Sequence, residues 1–167
     1  MSHLRALAAL ALLTAAAVAG AQEPTEEGSS SGGNGVIGFA IALGTEQGAD
    51  GSKKTMLEAE GLLGWEFQNR IRPEVGLVLG LEPDAHGAIR PGVRLPIPST
   101  PIQLRVALDA SNARNESFSW RYLLLGAAYE LKLTGNFALA LELDSGVPLR
   151  DSAGVPIMIR LGSVVRP

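Results

Sequence analysis

The chain of 167 residues contains no cysteine. That excludes disulfide scaffolds, thiolate metal sites, cysteine nucleophiles and a lipidated N-terminal cysteine. Charge is scarce, at 19% of residues with a formal net charge of −3, so no basic field of the kind that binds nucleic acid is present. Aromatic residues make up only 5%. Past residue 21 no apolar run approaches the roughly 20 residues a helix needs to span a bilayer, which excludes a bundle of membrane helices. Against these shortages stand 46% hydrophobic residues, 20 glycines and 10 prolines. The length suits a single domain, and the chain reads as hydrophobic, glycine-rich and poor in helix signals.

Residues 1–21, MSHLRALAALALLTAAAVAGA, have one cation (Arg5), an Ala/Leu stretch and a small-residue close at Ala19-Gly20-Ala21. This order predicts a secretory signal peptide cleaved after Ala21. Residues 22–35, QEPTEEGSSSGGNG, offer nothing to bury and predict a flexible acidic tether. The domain is expected over 36–167.

From Val36 onward the hydrophobic period is two. Eight strands are predicted, at 36–44, 55–67, 70–81, 88–96, 102–109, 120–131, 137–144 and 155–162. In the third, Ile71, Val75, Leu77, Leu79 and Leu81 share one face, and Arg70, Arg72, Glu74, Gly76 and Gly80 share the other. The seventh repeats the pattern, with Phe137, Leu139, Leu141 and Leu143 opposite Ala138, Ala140, Glu142 and Asp144. A helix would mix the two sets. Most segments match the ~9–11 residues of a tilted membrane-crossing strand. The links alternate between longer polar ones and tight ones, as in an up-and-down meander. An even strand number lets the sheet close and removes its edges.

The apolar face carries a single charge, Arg121. The other face carries the acids Glu58, Glu60, Glu66, Glu74, Asp109, Glu130, Glu142 and Asp144, the bases Arg70, Arg72, Arg90, Arg94, Arg105 and Arg160, and many Gly and Ala. It holds no Lys, Ser or Thr, which a water-facing strand surface would use freely, whereas Gly and Ala are poor strand residues in open water. Small residues alternating with Arg and Glu suit a narrow lumen that eight strands leave just wide enough for side chains to fill. Arg pairs carboxylates bidentately and keeps its charge, and the two signs nearly balance, as buried charges must. A soluble barrel with the apolar face inward shares the alternation and remains the alternative.

With the first strand running outward, Trp65, Phe67, Tyr129 and Phe137 fall at the short-turn end, and Phe118, Trp120 and Tyr122 at the long-loop end. Two such groups resemble membrane-interface girdles, although strict parity puts Trp120 and Tyr122 on the charged face.

The signal peptide, strand count, alternation, charged Gly/Ala-rich face and short turns together resemble the small eight-stranded outer-membrane barrels of the OmpA/OmpX type. The resemblance covers the chain from about Val36 onward. It implies an all-β, eight-stranded antiparallel up-and-down (meander) transmembrane β-barrel in the bacterial outer membrane, with outer-membrane lipid as its partner and no cofactor. Two departures stand out. Such barrels commonly end on an aromatic residue, while this chain ends Val165-Arg166-Pro167. In addition, Pro73, Pro91, Pro96 and Pro156 fall within predicted strands, where each requires a strand end or a bulge.

Catalytic signals are sparse. His86, in Glu82-Pro83-Asp84-Ala85-His86-Gly87, is the only histidine past residue 21. Asp84 and His86 beside Ser111, Ser117 or Ser119 would suit a lipid-modifying barrel enzyme, but Pro-Asp-Ala-His-Gly is also ordinary turn composition. No paired-His metal spacing, phosphate loop or nucleophile elbow occurs. The expected function is therefore non-enzymatic: a porin-like barrel in envelope structure or surface interaction, its lumen charges serving as a structural plug or as a gated ion path. A soluble periplasmic barrel binding an apolar ligand is the alternative.

Overall fold

The computed structural model describes residues 33–112 and 117–167. Within them lie eight strands, β1 (Asn34–Gln47), β2 (Lys53–Glu66), β3 (Arg72–Glu82), β4 (His86–Pro96), β5 (Ile102–Ser111), β6 (Ser119–Lys132), β7 (Phe137–Pro148) and β8 (Val155–Val165). Each pairs antiparallel with the next, and β8 returns to β1 to close the barrel. The signal-peptide segment lies outside the described residues. Asn34 and Gly35, expected in the tether, already pair with Glu66 and Trp65.

The direction of the side chains separates the two architectures that share this alternation. In β3, Leu77 is 58% and Leu79 56% exposed, while Arg72 and Glu74 are 2% and 4% exposed. Arg90, Arg94 and Glu142 are buried in the interior. The apolar face therefore points outward all round and the charged face inward, which is the arrangement for hydrocarbon and the reverse of what a soluble apolar-ligand barrel requires.

Strands run further than the apolar alternation suggests. The first link shrinks to 48–52, and β7 and β8 extend to Pro148 and Val165, because ladder pairing continues through polar residues once a neighbouring strand supplies partners. Lys53, Lys54 and Lys132, expected in links, occupy strand termini. In the 48–52 link Asp50 accepts the Ser52 N–H at 2.9 Å, and the Ser52 hydroxyl and N–H together hold the Asp50 carboxyl below the usual carboxylate range.

The prolines sit where the ladder tolerates them. Pro73 and Pro156 are second residues of their strands and Pro96 is a last one. Pro91 lies mid-strand, and there the β4–β5 ladder lapses: pairing passes from Ile89↔Ala110 to Gly92↔Ala107 with no shift in register. Pro91 has no N–H to donate. Across the same gap Arg90 Nε donates to Asp109 Oδ1 at 2.5 Å, so a side-chain bond ties the strands where the backbone does not.

At the closing seam Gly44 pairs with Met158, and a Cβ on Gly44 would collide with the Ile157 carbonyl oxygen and crowd Met158 Cα. Because the obstacle is backbone, Gly44→Ala is expected to destabilise the barrel by about 1–3 kcal/mol, the usual cost of overpacking. The loss is read as a lower urea midpoint for the folded barrel in detergent, and an unchanged midpoint would refute the tight seam.

Candidate functional site: a charge-filled lumen

Inward positions recur every second residue, so each strand contributes a row of lumen side chains. Small residues provide the room: a Cβ at Gly76 would meet the Glu60 carboxylate, and one at Gly126 the Asp144 carboxylate. The charges interlock from one end to the other. At the short-turn end Arg166 Nη2 lies 2.6 Å from Glu130 Oε1 and 3.1 Å from Glu66 Oε2, and Gln103 donates to Glu130 at 3.0 Å. Arg72 Nε donates to Glu74 at 3.2 Å. Arg94 Nε also donates to Glu74 at 2.8 Å, and Arg105 Nε forms an ion pair with it at 2.9 Å. Glu142 lies 2.6 Å from Arg94 and 3.3 Å from Arg105.

Midway, Glu60 meets Arg105 at 2.7 Å, Arg90 at 3.4 Å and Arg160. Arg160 also pairs with Asp144. Arg90 forks onto both oxygens of Glu58, at 2.7 and 3.0 Å, and reaches Asp109 with Nε. Sharing each guanidinium among several carboxylates keeps these charges compensated in a space that excludes bulk water.

The long-loop end closes differently. Tyr122 Oη donates to Glu46 Oε1 at 2.9 Å and accepts from Arg121 Nε at 3.1 Å. The Gly154 N–H donates to the same Glu46 oxygen at 2.6 Å. Ala153, in the 149–154 link, is buried at this end with Met56, Tyr122 and Met158. His86 lies at this end, with Nδ1 2.8 Å from the Asp84 main-chain oxygen. Since a carbonyl only accepts, Nδ1 carries the proton, and Nε2 faces Glu58 at 4.0 Å. Two lumen cavities, of about 20 and 30 Å³, each have room for roughly one water.

The expected site residues fall as follows. Glu58, Glu60, Glu66, Arg72, Glu74, Arg90, Arg94, Arg105, Asp109, Glu130, Glu142, Asp144 and Arg160 lie in the lumen network. Arg70 does not. It is exposed in the 67–71 turn with φ of 62°, its N–H bonded to the Phe67 oxygen at 2.8 Å, so parity counting fails there because the residue lies outside the ladder. Among the aromatics, Trp65, Phe67, Tyr129, Phe118 and Trp120 are exposed and Phe137 is half-buried. Tyr122 is not an interface residue: it is 3% exposed, inside the lumen. Its place follows strict parity, with Leu124, Ala128 and Glu130 on the same inward row. Beyond it a bulge intervenes: β5–β6 pairing steps from Asp109↔Tyr122 to Ala110↔Trp120, so Arg121 is the extra residue of β6 and the parity reverses from there to Trp120. Arg121, expected on the apolar face, consequently turns inward and Trp120 outward.

Sequence reasoning missed Glu46, His86, Gln103, Ser111, Arg121 and Arg166 as lumen residues. Most were findable by carrying the alternation past the last apolar residue: Glu46 continues Ala42 and Gly44, and Arg166 continues Arg160, Gly162 and Val164. The Asp84–His86–Ser relay does not assemble as a side-chain chain. His86 uses the Asp84 main chain, Ser111 Oγ is buried without a hydrogen-bond partner among the described residues, Ser119 accepts from Arg150 at 2.5 Å, and Ser117 is exposed. Among the described residues no group of His, Asp and Glu is arranged to hold a metal ion.

No protein-family model matches the sequence, and no curated protein matches it. Solved structures do match. Neisserial surface protein A is 12% identical with a TM-score of 0.56, over 84% of this chain and 100% of its own. The N-terminal β-barrel domain of Pseudomonas aeruginosa OprF is 14% identical with a TM-score of 0.55, over 81% and 99%. A barrel from the de novo design of transmembrane β-barrels is 11% identical with a TM-score of 0.53, over 83% and 98%. At these identities the shared property is the fold, an eight-stranded transmembrane barrel.

Proposed function

We propose that this chain is a non-enzymatic component of the bacterial outer membrane, a closed barrel serving envelope structure and short-range surface contact. The observation that carries the reading is the lumen: ion pairs fill it along its length, from Arg166 with Glu66 and Glu130 at one end to Arg121 and Tyr122 with Glu46 at the other. Such an interior is a structural plug and gives no path for solutes. The outward apolar belt supports a membrane location, and residues 1–21 support export. The described links at the long-loop end, 48–52, 83–85 and 149–154, are short, which supports contacts made by the rim itself. The exposed aromatics at both ends are assigned to the membrane interfaces.

The test has two parts. The protein is expected in the detergent-extracted membrane fraction, with gel mobility that changes on heating. Recovery in osmotic-shock fluid without detergent would contradict the location. Reconstituted in planar bilayers, the barrel is expected to leave the current at baseline, and discrete, sustained single-channel steps would overturn the plug.

A further inference from the structure

The larger of the two lumen cavities, of about 30 Å³, lies against the closing seam. Ala40, Gly162 and Ala140 are cross-strand partners in one inward row there, with Gly38 two residues along β1, and these small side chains leave the room. The charged lining is Arg72, Arg94 and Arg160 with Glu60 and Glu142, three guanidiniums to two carboxylates. Both carboxylates are already engaged. Glu60 meets Arg105 with Oε1 at 2.7 Å, and with Oε2 it meets Arg160 and, at 3.4 Å, Arg90. Glu142 meets Arg94 with Oε2 at 2.6 Å and Arg105 with Oε1 at 3.3 Å. Arg90 and Arg105 are not among the lining residues, so part of the charge that compensates these acids comes from beyond the cavity.

What the lining has in excess is donors. Arg160 is 2% exposed and turns Nη1 to Glu60 and Nε to Asp144. Its Nη2 is buried with no hydrogen-bond partner among the described residues. Arg72, also 2% exposed, leaves Nη1 in the same condition, its ion pairs with Glu66 and Glu130 stretched to 3.8 Å. Buried donors without acceptors are costly, which favours an occupant that accepts from both. A water can accept, but it must also place its own two protons, and the carboxylate oxygens of the lining already face guanidiniums. A small anion accepts from every donor and donates none, and its charge offsets the third guanidinium. The volume exceeds the ~10–15 Å³ that one water needs and suits a single-atom ion.

We propose that this cavity binds one halide-sized monovalent anion, chloride in a natural medium, with Arg160 Nη2 and Arg72 Nη1 as its donors. β8 carries Arg160 and closes against β1, so the ion is enclosed as the barrel shuts and stabilises the closed form. The barrel is folded in detergent with sodium bromide, crystallised, and measured at the bromine absorption edge. An anomalous peak is expected in the cavity, within hydrogen-bond reach of Arg160. In solution, the urea midpoint is expected to climb with the logarithm of chloride concentration as sodium chloride replaces sodium gluconate at constant ionic strength, as binding to the folded state alone requires. Ala140→Val fills the cavity and keeps every charge in place. It is expected to lose both the peak and the chloride dependence, with Ala140→Ser, whose hydroxyl enters the same space, as the milder replacement if the valine variant does not fold. No bromide in the cavity, bromide only on the outer surface, equal midpoints in the two salts, or a chloride dependence that survives filling of the cavity would each overturn the site and leave the space to water.

Discussion

Replacing Arg90 by methionine is expected to cost about 3–5 kcal/mol of folding free energy, the range for removing one partner of a buried ion pair. Arg90 is 1% exposed and serves three carboxylates: Glu58 through both oxygens, Asp109 through Nε and Glu60 through Nη1. Methionine fills much of the volume but leaves these oxygens facing one another. Arg160 and Arg105 already serve Glu60, so little spare positive charge remains nearby. The loss extends to the sheet, because the Arg90–Asp109 bond spans the lapse opposite Pro91. Urea titration of the barrel in phospholipid vesicles should show a lower midpoint at an unchanged slope. Arg70→Met, at the exposed turn, is the matched control and should fall within about 0.5 kcal/mol of the parent. Replacing Glu58 and Asp109 by leucine in the Arg90→Met background should recover most of the loss, since hydrophobic replacement of a whole buried ion cluster is often neutral or stabilising. Equal midpoints for Arg90→Met and Arg70→Met would mean that water reaches the lumen and screens its charges.

The comparison of Arg70 with Arg90 also marks what was legible in the sequence. Both have lumen parity, and what separates them is the ladder. The Gln68-Asn69-Arg70 turn removes Arg70 from the sheet, and the cue is Asn69, whose side chain accepts the Ile71 N–H at 3.1 Å, a turn habit of asparagine. Strand number follows from period two and meander order from the alternating links, while the inward row of acids and arginines rests on that face holding Gly and Ala but no Lys, Ser or Thr; once the apolar face meets lipid, a one-residue slip would put every charge into it. The same rule explains Glu46 and Arg166, which lie on the alternation but past its apolar part. Trp120 and Arg121 lie beyond that reasoning. A bulge adds one residue to one strand, and nothing in Trp120-Arg121-Tyr122-Leu123 shows which residue is the extra one until β5 is laid beside it. What goes unseen with the bulge is this end of the site, where Arg121 joins Tyr122 and Glu46.

The outer belt yields the second large effect, and its dependence on depth is the informative part. Leu77→Arg and Leu141→Arg are each expected to raise the free energy of the membrane-folded state by ~2–4 kcal/mol, the cost of arginine facing lipid near the midplane, whereas Val147→Arg near the loop-end rim should cost only ~0–1 kcal/mol. All three residues point outward and are about half exposed or more, so fractional exposure cannot rank them and only distance from the bilayer centre can. Leu77 is the sixth of the residues in β3, while Val147 is next to last in β7. The barrel interior offers no refuge for the new guanidinium, because the neighbouring inward positions, Gly76 and Val78 on either side of Leu77, face a lumen already filled by Glu60 and Arg90. The quantity to measure is folding free energy into phospholipid vesicles for the three variants under one set of conditions, with accumulation in the cell membrane fraction as the parallel readout. In water an exposed leucine exchanged for arginine would be neutral or favourable at every depth. A flat series across Leu77, Leu141 and Val147, or variants that stay folded and soluble, would therefore remove the bilayer from the account, while a cost that climbs from rim to centre ties the outward rows to hydrocarbon.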